Sequence, residues 1–329
     1  MNFEGKSVFT DTIDKELDLL KGNTKTYSSI VSIINEKYKT SFNKHHIIYR
    51  IQKLCQETKG KAQQDAYEFV KLAEEDVKTN SGFFAYSLNE NNQFDKCVYL
   101  SNVMLLYSQH FLDIIIVDST YRRNRFNLAL VNVLGINNHG QSIILAFGLL
   151  STETKENYIW LFSQIKSAWK KTPKTCISDD DESIQQGKYI DFGYFIYIGL
   201  SSNFKSTLLL CSWHVQRNLI SKFCYISKTN PELYKKITNL PFITNQANFE
   251  EIIDTLRSSN DIPKEQIQYL DKKLEKKNKW AKCISKKEFA GSVSTTSRVE
   301  GLHAVQKKYL TSSSSLKKVF YSFRTLEKQ

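Results

Sequence analysis

Proline is scarce in this chain, 4 residues among 329, and glycine is modest at 12. That scarcity excludes a collagen-like or Pro/Gly-rich low-complexity protein. With 41% hydrophobic and 12% aromatic residues, it argues for a packed chain folded almost throughout. The six cysteines, Cys55, Cys97, Cys176, Cys211, Cys224 and Cys283, are scattered without one Cys-x-x-Cys pair. Such scatter excludes a disulfide framework and points to reduced thiols inside a cell, with no zinc finger. No apolar run approaches the roughly 20 residues that cross a bilayer, and Met1 to Thr10 lacks the apolar stretch of a signal peptide, so a soluble protein is expected.

Negative charge is the scarcer sign. The formal net charge is +12, and between Leu270 and Gln329 15 Lys or Arg stand against 5 Asp or Glu. A positive field concentrated in this way suits a polyanion, because each cation near a phosphate releases condensed counterions. A Lys-rich solvated helix surface would carry the same composition, so charge leaves both readings open.

Residues 1–105 read as a helical region. Ile30, Ile33, Ile34 and Tyr38 share one helical face, and after Lys39-Thr40-Ser41 a second face follows with Ile47, Ile48, Ile51 and Leu54. The second helix carries Lys44, His45, His46, Arg50 and Lys53 on its polar side, which fits either a DNA-reading helix-turn-helix or an ordinary helical hairpin. From Phe111 the texture becomes β-branched. Ile114-Ile115-Ile116-Val117 reads as a strand buried on both faces. Phe126 to Ile136 and Ser142 to Leu150 read as strands joined through the turn-forming Asn137-Asn138-His139-Gly140. Glu153 to Lys170 has helical spacing, Thr175 to Ser178 and Thr207 to Leu210 read as short strands, and residues 226–291 read as an all-helical insertion. The cap-rich Ser292 to Ser297 leads into a helix near Arg298, and Ser312 to Ser315 separates it from a last basic helix. This order predicts a mixed α/β sheet flanked by helices, in segments 106–225 and 292–329 around the insertion.

Two acids follow apolar strands directly, Asp118 and Asp179. Side chains at the carboxyl ends of neighbouring strands converge on one crevice, and convergent carboxylates repel one another unless a cation sits among them. Oxygen donors of this kind suit Mg²⁺ or Mn²⁺. A single Asp after a strand also serves as a turn or cap residue. Ser297-Arg298-Val299-Glu300 fits a capping box as well as it fits a functional acid. Cys211 and His214 have the spacing of half a zinc site, but no second pair follows, and a buried Cys with a hydrogen-bonded His remains open.

Five short stretches, in order, resemble the Mutator-like (MULE) transposases. Asp118-Ser119-Thr120-Tyr121 with Asn124 resembles the family's Asp-x-Thr-Tyr-x-x-Asn motif. Glu153 with Tyr158-Ile159-Trp160 is similar to its next acidic residue and Trp, and Ile177-Ser178-Asp179 with Asp181 to the strand ending in its second catalytic Asp. Cys211-Ser212-Trp213-His214 with Arg217-Asn218-Leu219 resembles its Cys-x-Trp-His-x-x-Arg-Asn stretch. Thr295-Thr296-Ser297-Arg298-Val299-Glu300-Gly301 resembles the segment supplying its catalytic Glu.

The resemblance implies a ribonuclease H-like fold with a helical insertion before the last acid. It implies Asp118, Asp179 and Glu300 as catalytic and metal-binding residues holding two Mg²⁺ or Mn²⁺ ions, with Asp181 as the reserve for Asp179. Cys211, His214, Arg122, Arg123, Asn124, Arg217, Lys307 and Lys308 would support the site or bind DNA. The implied protein is a nuclear, homo-oligomeric DNA transposase that cleaves transposon ends and joins them to target DNA. The alternative is a domesticated, transposase-derived DNA-binding regulator without catalysis. Family members often carry a zinc module upstream and a Cys/His-rich finger downstream; this sequence shows neither, which puts end recognition in doubt.

Overall fold

A computed structural model describes residues 9–21, 27–121, 123–179, 182–185, 188–259, 261–285 and 295–327. The chain divides into two compact units, Met1–Tyr67 and Glu68–Gln329. The first holds α1 (Asp11–Lys21), α2 (Tyr27–Tyr38) and the start of α3 (Lys44–Asn80). Ile13, Leu17, Ile30, Ile34, Ile47 and Ile51 form its core, the faces that the isoleucine spacing predicts. Asn35 fixes the α2–α3 turn: its amide donates to the Phe42 carbonyl at 2.8 Å, and its oxygen accepts from the Phe42 N–H at 2.9 Å. Arg50 is not a free DNA-facing cation, because its Nε donates to Asp14 Oδ1 at 2.9 Å.

The second unit begins within α3. It continues through β1 (Phe83–Leu88), β2 (Phe94–Leu100), α4 (Asn102–His110), β3 (Ile114–Thr120), β4 (Ala129–Ile136), β5 (Ser142–Leu150), α5 (Lys155–Trp169), β6 (Thr175–Ser178), β7 (Glu182–Gln185) and β8 (Lys188–Asp191). Then come α6 (Phe192–Asn203), β9 (Thr207–Leu210), α7 (Ser212–Phe223), α8 (Pro231–Asn239), α9 (Gln246–Ser258), α10 (Lys264–Leu274), α11 (Lys277–Trp280), α12 (Lys282–Ser285), α13 (Ser297–Tyr309) and α14 (Leu316–Leu326). The expectation of helices through residue 105 fails at β1 and β2. Phe83, Phe84, Tyr86, Phe94 and Tyr99 are strand-favouring residues, and Phe69 of α3 packs edge-on against both Phe84 and Phe94.

The architecture is α/β around a seven-stranded mixed sheet ordered β1-β2-β5-β4-β3-β6-β9; β7 and β8 form a separate pair. From β1 to β3 every neighbour is antiparallel, while β6 runs parallel to both β3 and β9. The β4–β5 hairpin closes on Asn137, whose Oδ1 accepts from the N–H groups of His139 and Gln141, with Gly140 at φ 74° supplying the left-handed residue.

Alternate residues of β5 distribute the helices. Phe147 stacks on Phe323 of α14 with centroids 4.1 Å apart. A Cβ added to the next residue, Gly148, would stand 2.6 Å from Leu161 Cδ1 of α5. Helices α13 and α14 therefore cover one face and α5, with α6 against it, the other. Helix α13 is pinned by two fully buried amides: Asn132 Nδ2 donates to Gln306 Oε1 at 3.1 Å, and Gln306 Nε2 returns a bond to Asn132 Oδ1 at 2.8 Å. Every described element between residues 226 and 285 is helical, and a core of Phe249, Leu256, Leu270 and Trp280 packs on Val215, Leu219 and Phe223 of α7.

Candidate functional site

The pairing of β3 with β6 places Ile116 opposite Ile177, so Asp118 and Asp179, two residues further along each strand, reach the same end of the sheet side by side. Ser119 N–H donates to Asp118 Oδ1 at 2.8 Å and fixes that carboxylate. Helix α13 lies over β3 and β4 and brings Glu300 and, one turn on, His303 to this end. The capping-box alternative for Glu300 does not form. Thr296 is the N-cap and makes no side-chain cap bond, while the Glu300 carboxylate faces an imidazole.

Two histidines lie among the acids. His214 on α7 stands between two of them, Nδ1 3.1 Å from Asp179 Oδ1 and Nε2 3.5 Å from Glu300 Oε1. His303 Nδ1 stands 3.7 Å from Asp118 Oδ2. Burial lowers both imidazoles to about 4, with Arg217 adding to the effect at His214, and Lys307 and Arg123 at His303. They are neutral at pH 7. Burial raises the Glu300 carboxyl, against the fields of Arg217 and Lys307. Cys211, fully buried, accepts from Thr296 N–H at 3.2 Å and from its hydroxyl at 3.4 Å, and the same hydroxyl lies 3.2 Å from His214 Nδ1. Burial raises the Cys211 thiol, so at neutral pH it is a packing and hydrogen-bonding group.

A fourth carboxylate stands behind β3. Glu153, 6% exposed, accepts at Oε1 from Ser119 Oγ at 2.6 Å and from the Tyr158 hydroxyl. Its Oε2 is buried without a hydrogen-bond partner, and desolvation raises its carboxyl.

The structure thus gathers Asp118, Asp179, Glu300, Cys211 and His214, and sets the fields of Arg123, Arg217 and Lys307 around them. Lys308 is exposed on the last turn of α13. Asn124 is 2% exposed, its amide donates to the Leu128 carbonyl, and its oxygen accepts from the N–H groups of Phe126 and Leu128. It staples its own loop. Arg122 and Asp181 lie outside the described residues. Sequence reasoning missed His303 and Thr296. The position of His303, three residues after Glu300 on one helix, was the available signal for it; Thr296 had none beyond its place beside the motif.

Hard carboxylate oxygens at the ends of neighbouring strands fit Mg²⁺ or Mn²⁺ in donor chemistry. Their present arrangement is directed elsewhere: each acid approaches an imidazole, and among the described residues no three His, Cys, Asp or Glu side chains are grouped to hold one ion.

Residues 114–218 match the family model for the MULE transposase domain, which spans β3 to α7 and so includes the strands bearing Asp118 and Asp179 together with His214. The chain carries a MULE transposase domain. It is similar to Protein FAR1-RELATED SEQUENCE 5 of Arabidopsis thaliana, 20% identical over 249 residues that make up 72% of this chain and 29% of that protein. Protein FAR1-RELATED SEQUENCE 6 of the same plant is 32% identical over 102 residues, 31% of this chain and 14% of the relative. Protein FAR-RED IMPAIRED RESPONSE 1 is 22% identical over 237 residues, 71% of this chain and 27% of the relative. The chain spans less than a third of the length of each of these curated relatives. No described helix is long and apolar enough to cross a membrane.

Proposed function

We propose that this MULE-domain chain is the core of a domesticated, transposase-derived DNA-binding regulator, acting in the nucleus and as a homo-oligomer. The observation that carries the proposal is the make-up of the site. Each acid leans on a neutral imidazole, while Arg123, Arg217 and Lys307 set a positive field over the same crevice, where phosphate oxygens would be held. One curated relative is named for a far-red response, which favours the same reading. The strand order supports a ribonuclease H-like core: antiparallel β5-β4-β3 continued by parallel β6 and β9, with the helical insertion ahead of Glu300.

A second reading, a metal-dependent nuclease and strand-transferase, is favoured by the retention of Asp118, Asp179 and Glu300 at one sheet end. In that reading the three would hold Mg²⁺ or Mn²⁺, which would activate the attacking oxygen and stabilise the leaving one. Glu153 and Ser119 would keep the Asp118 end of β3 in place, and Arg217 would orient the phosphate.

One experiment separates the two. The chain is incubated with supercoiled DNA and Mn²⁺ beside Asp118→Asn, and duplex binding is followed by fluorescence anisotropy across a salt series. The regulator reading expects salt-sensitive binding with no nicking or joining. Metal-dependent nicking lost in Asp118→Asn would overturn it in favour of the enzyme. Light scattering of the bound and free chain tests the oligomer.

A further inference from the structure

The side of the acid crevice formed by α7 carries an aromatic group that neither reading above uses. Trp213 is the second residue of α7, immediately before His214. It is 37% exposed, whereas Trp169 and Trp280 are fully buried. Single exposed aromatics are ordinary on protein surfaces, so exposure alone carries nothing. Position does. The indole stands edge-on to the His214 ring with centroids 4.9 Å apart, and that imidazole touches both Asp179 and Glu300. The indole is therefore one ring away from the acids. It is also held: Arg217, four residues along the same helix, places its guanidinium 5.4 Å from the indole centroid. The field of Arg217 reaches both His214 and Glu300, so a phosphate drawn to it lies beside the indole.

A flat ring kept in water, fixed by a cation and set beside a positive crevice matches an unpaired nucleobase followed by its phosphate. A base inside an intact duplex has both faces covered by its neighbours and cannot use such a platform. We propose that Trp213 and Arg217 form a subsite for one unstacked nucleobase of DNA, so that the protein favours DNA carrying an unpaired base over a fully paired duplex. The inference rests on the DNA-binding reading above and adds its ligand geometry.

The test uses the full chain and two labelled DNAs of one sequence, a plain duplex and the same duplex with a single bulged adenine, each titrated by anisotropy at fixed salt. Base–aromatic stacking sets an expected preference for the bulged DNA of about fivefold or more. Trp213→Leu is expected to bring the ratio of affinities to near one, and Trp213→Phe, which keeps a flat ring, to retain part of it. Tryptophan emission of the unmodified chain should be quenched by the bulged DNA more than by the duplex, a readout that needs no variant. Equal affinity of the unmodified chain for both DNAs, or a Trp213→Leu chain that keeps the preference, overturns the subsite while leaving duplex binding intact. Failure to bind either DNA overturns the DNA-binding reading and the subsite together.

Discussion

Replacing Gln306 with leucine tests how α13 is held over the sheet and, through it, how Glu300 and His303 reach the acids. Asn132 and Gln306 are both wholly buried and exchange two hydrogen bonds, 3.1 and 2.8 Å long. Gln306→Leu removes both bonds and strands the Asn132 amide, a donor and an acceptor, in an apolar layer. A buried polar group left without its partner costs about 1–3 kcal/mol, and here donor and acceptor are orphaned together, so a loss of roughly 2–4 kcal/mol is expected. For a unit of this size that corresponds to a fall in Tm of about 4–7 °C. The double variant Asn132→Leu/Gln306→Leu replaces both partners by apolar groups of similar shape, which is nearly neutral in general. It should recover more than half of the single-variant loss. Urea titrations of all four members of the cycle measure the coupling directly. A Gln306→Leu chain within about 0.5 kcal/mol of the parent, or a double variant worse than the sum of the singles, would refute the claim that this amide pair sets the α13 register.

Stability should depend on pH through the two imidazoles. Their folded values lie near 4, below the ordinary 6.5, so the unfolded chain binds more protons between those limits. The stabilisation is complete above about pH 6.5 and falls as the pH drops toward 4, by about 1.4 kcal/mol per pH unit for each histidine. Urea midpoints at pH 7, 6 and 5 measure it, and His303→Asn should roughly halve the slope. Gly199→Ala should cost about 1–3 kcal/mol, because its Cβ would lie 2.9 Å from the Tyr158 carbonyl carbon on α5, a backbone atom that cannot step aside; thermal melting checks it. Among the cysteines with described side chains, Cys224 is exposed whereas Cys97, Cys176, Cys211 and Cys283 are buried. Brief alkylation at neutral pH followed by peptide mass mapping should therefore modify Cys224 before those four.

Much of the second unit was legible because its strands are short, apolar and β-branched, and because local chemistry marks their ends. The Ile114 to Val117 run became the buried part of a central strand that carries Asp118 and runs on to Thr120, and Asn137 with Gly140 closed the hairpin expected of them. Thr154 and Ser315 cap α5 and α14 by accepting from the N–H three residues on. Strands β1 and β2 were not legible. Their aromatic residues favour strands but follow a long helical stretch, and what completes them as strands is the sheet edge offered by β5, a partner that lies about fifty residues further along. Strand pairing of that range leaves little local trace.

The sequence by itself determined which acids follow the apolar runs Ile114 to Val117 and Thr175 to Ser178 and that positive charge gathers between Leu270 and Gln329, since periodicity, turn chemistry and composition are local properties. Only the tertiary structure decided what surrounds those acids. Parallel pairing of β3 with β6 sets Asp118 beside Asp179, and α13, fixed by a buried amide pair, carries Glu300 and His303 to the same end. His214, from a separate helix, then stands between two carboxylates that the family resemblance assigns to a shared ion. Side chains more than a hundred residues apart meet only through packing, and no local pattern encodes which of them will stand between the others.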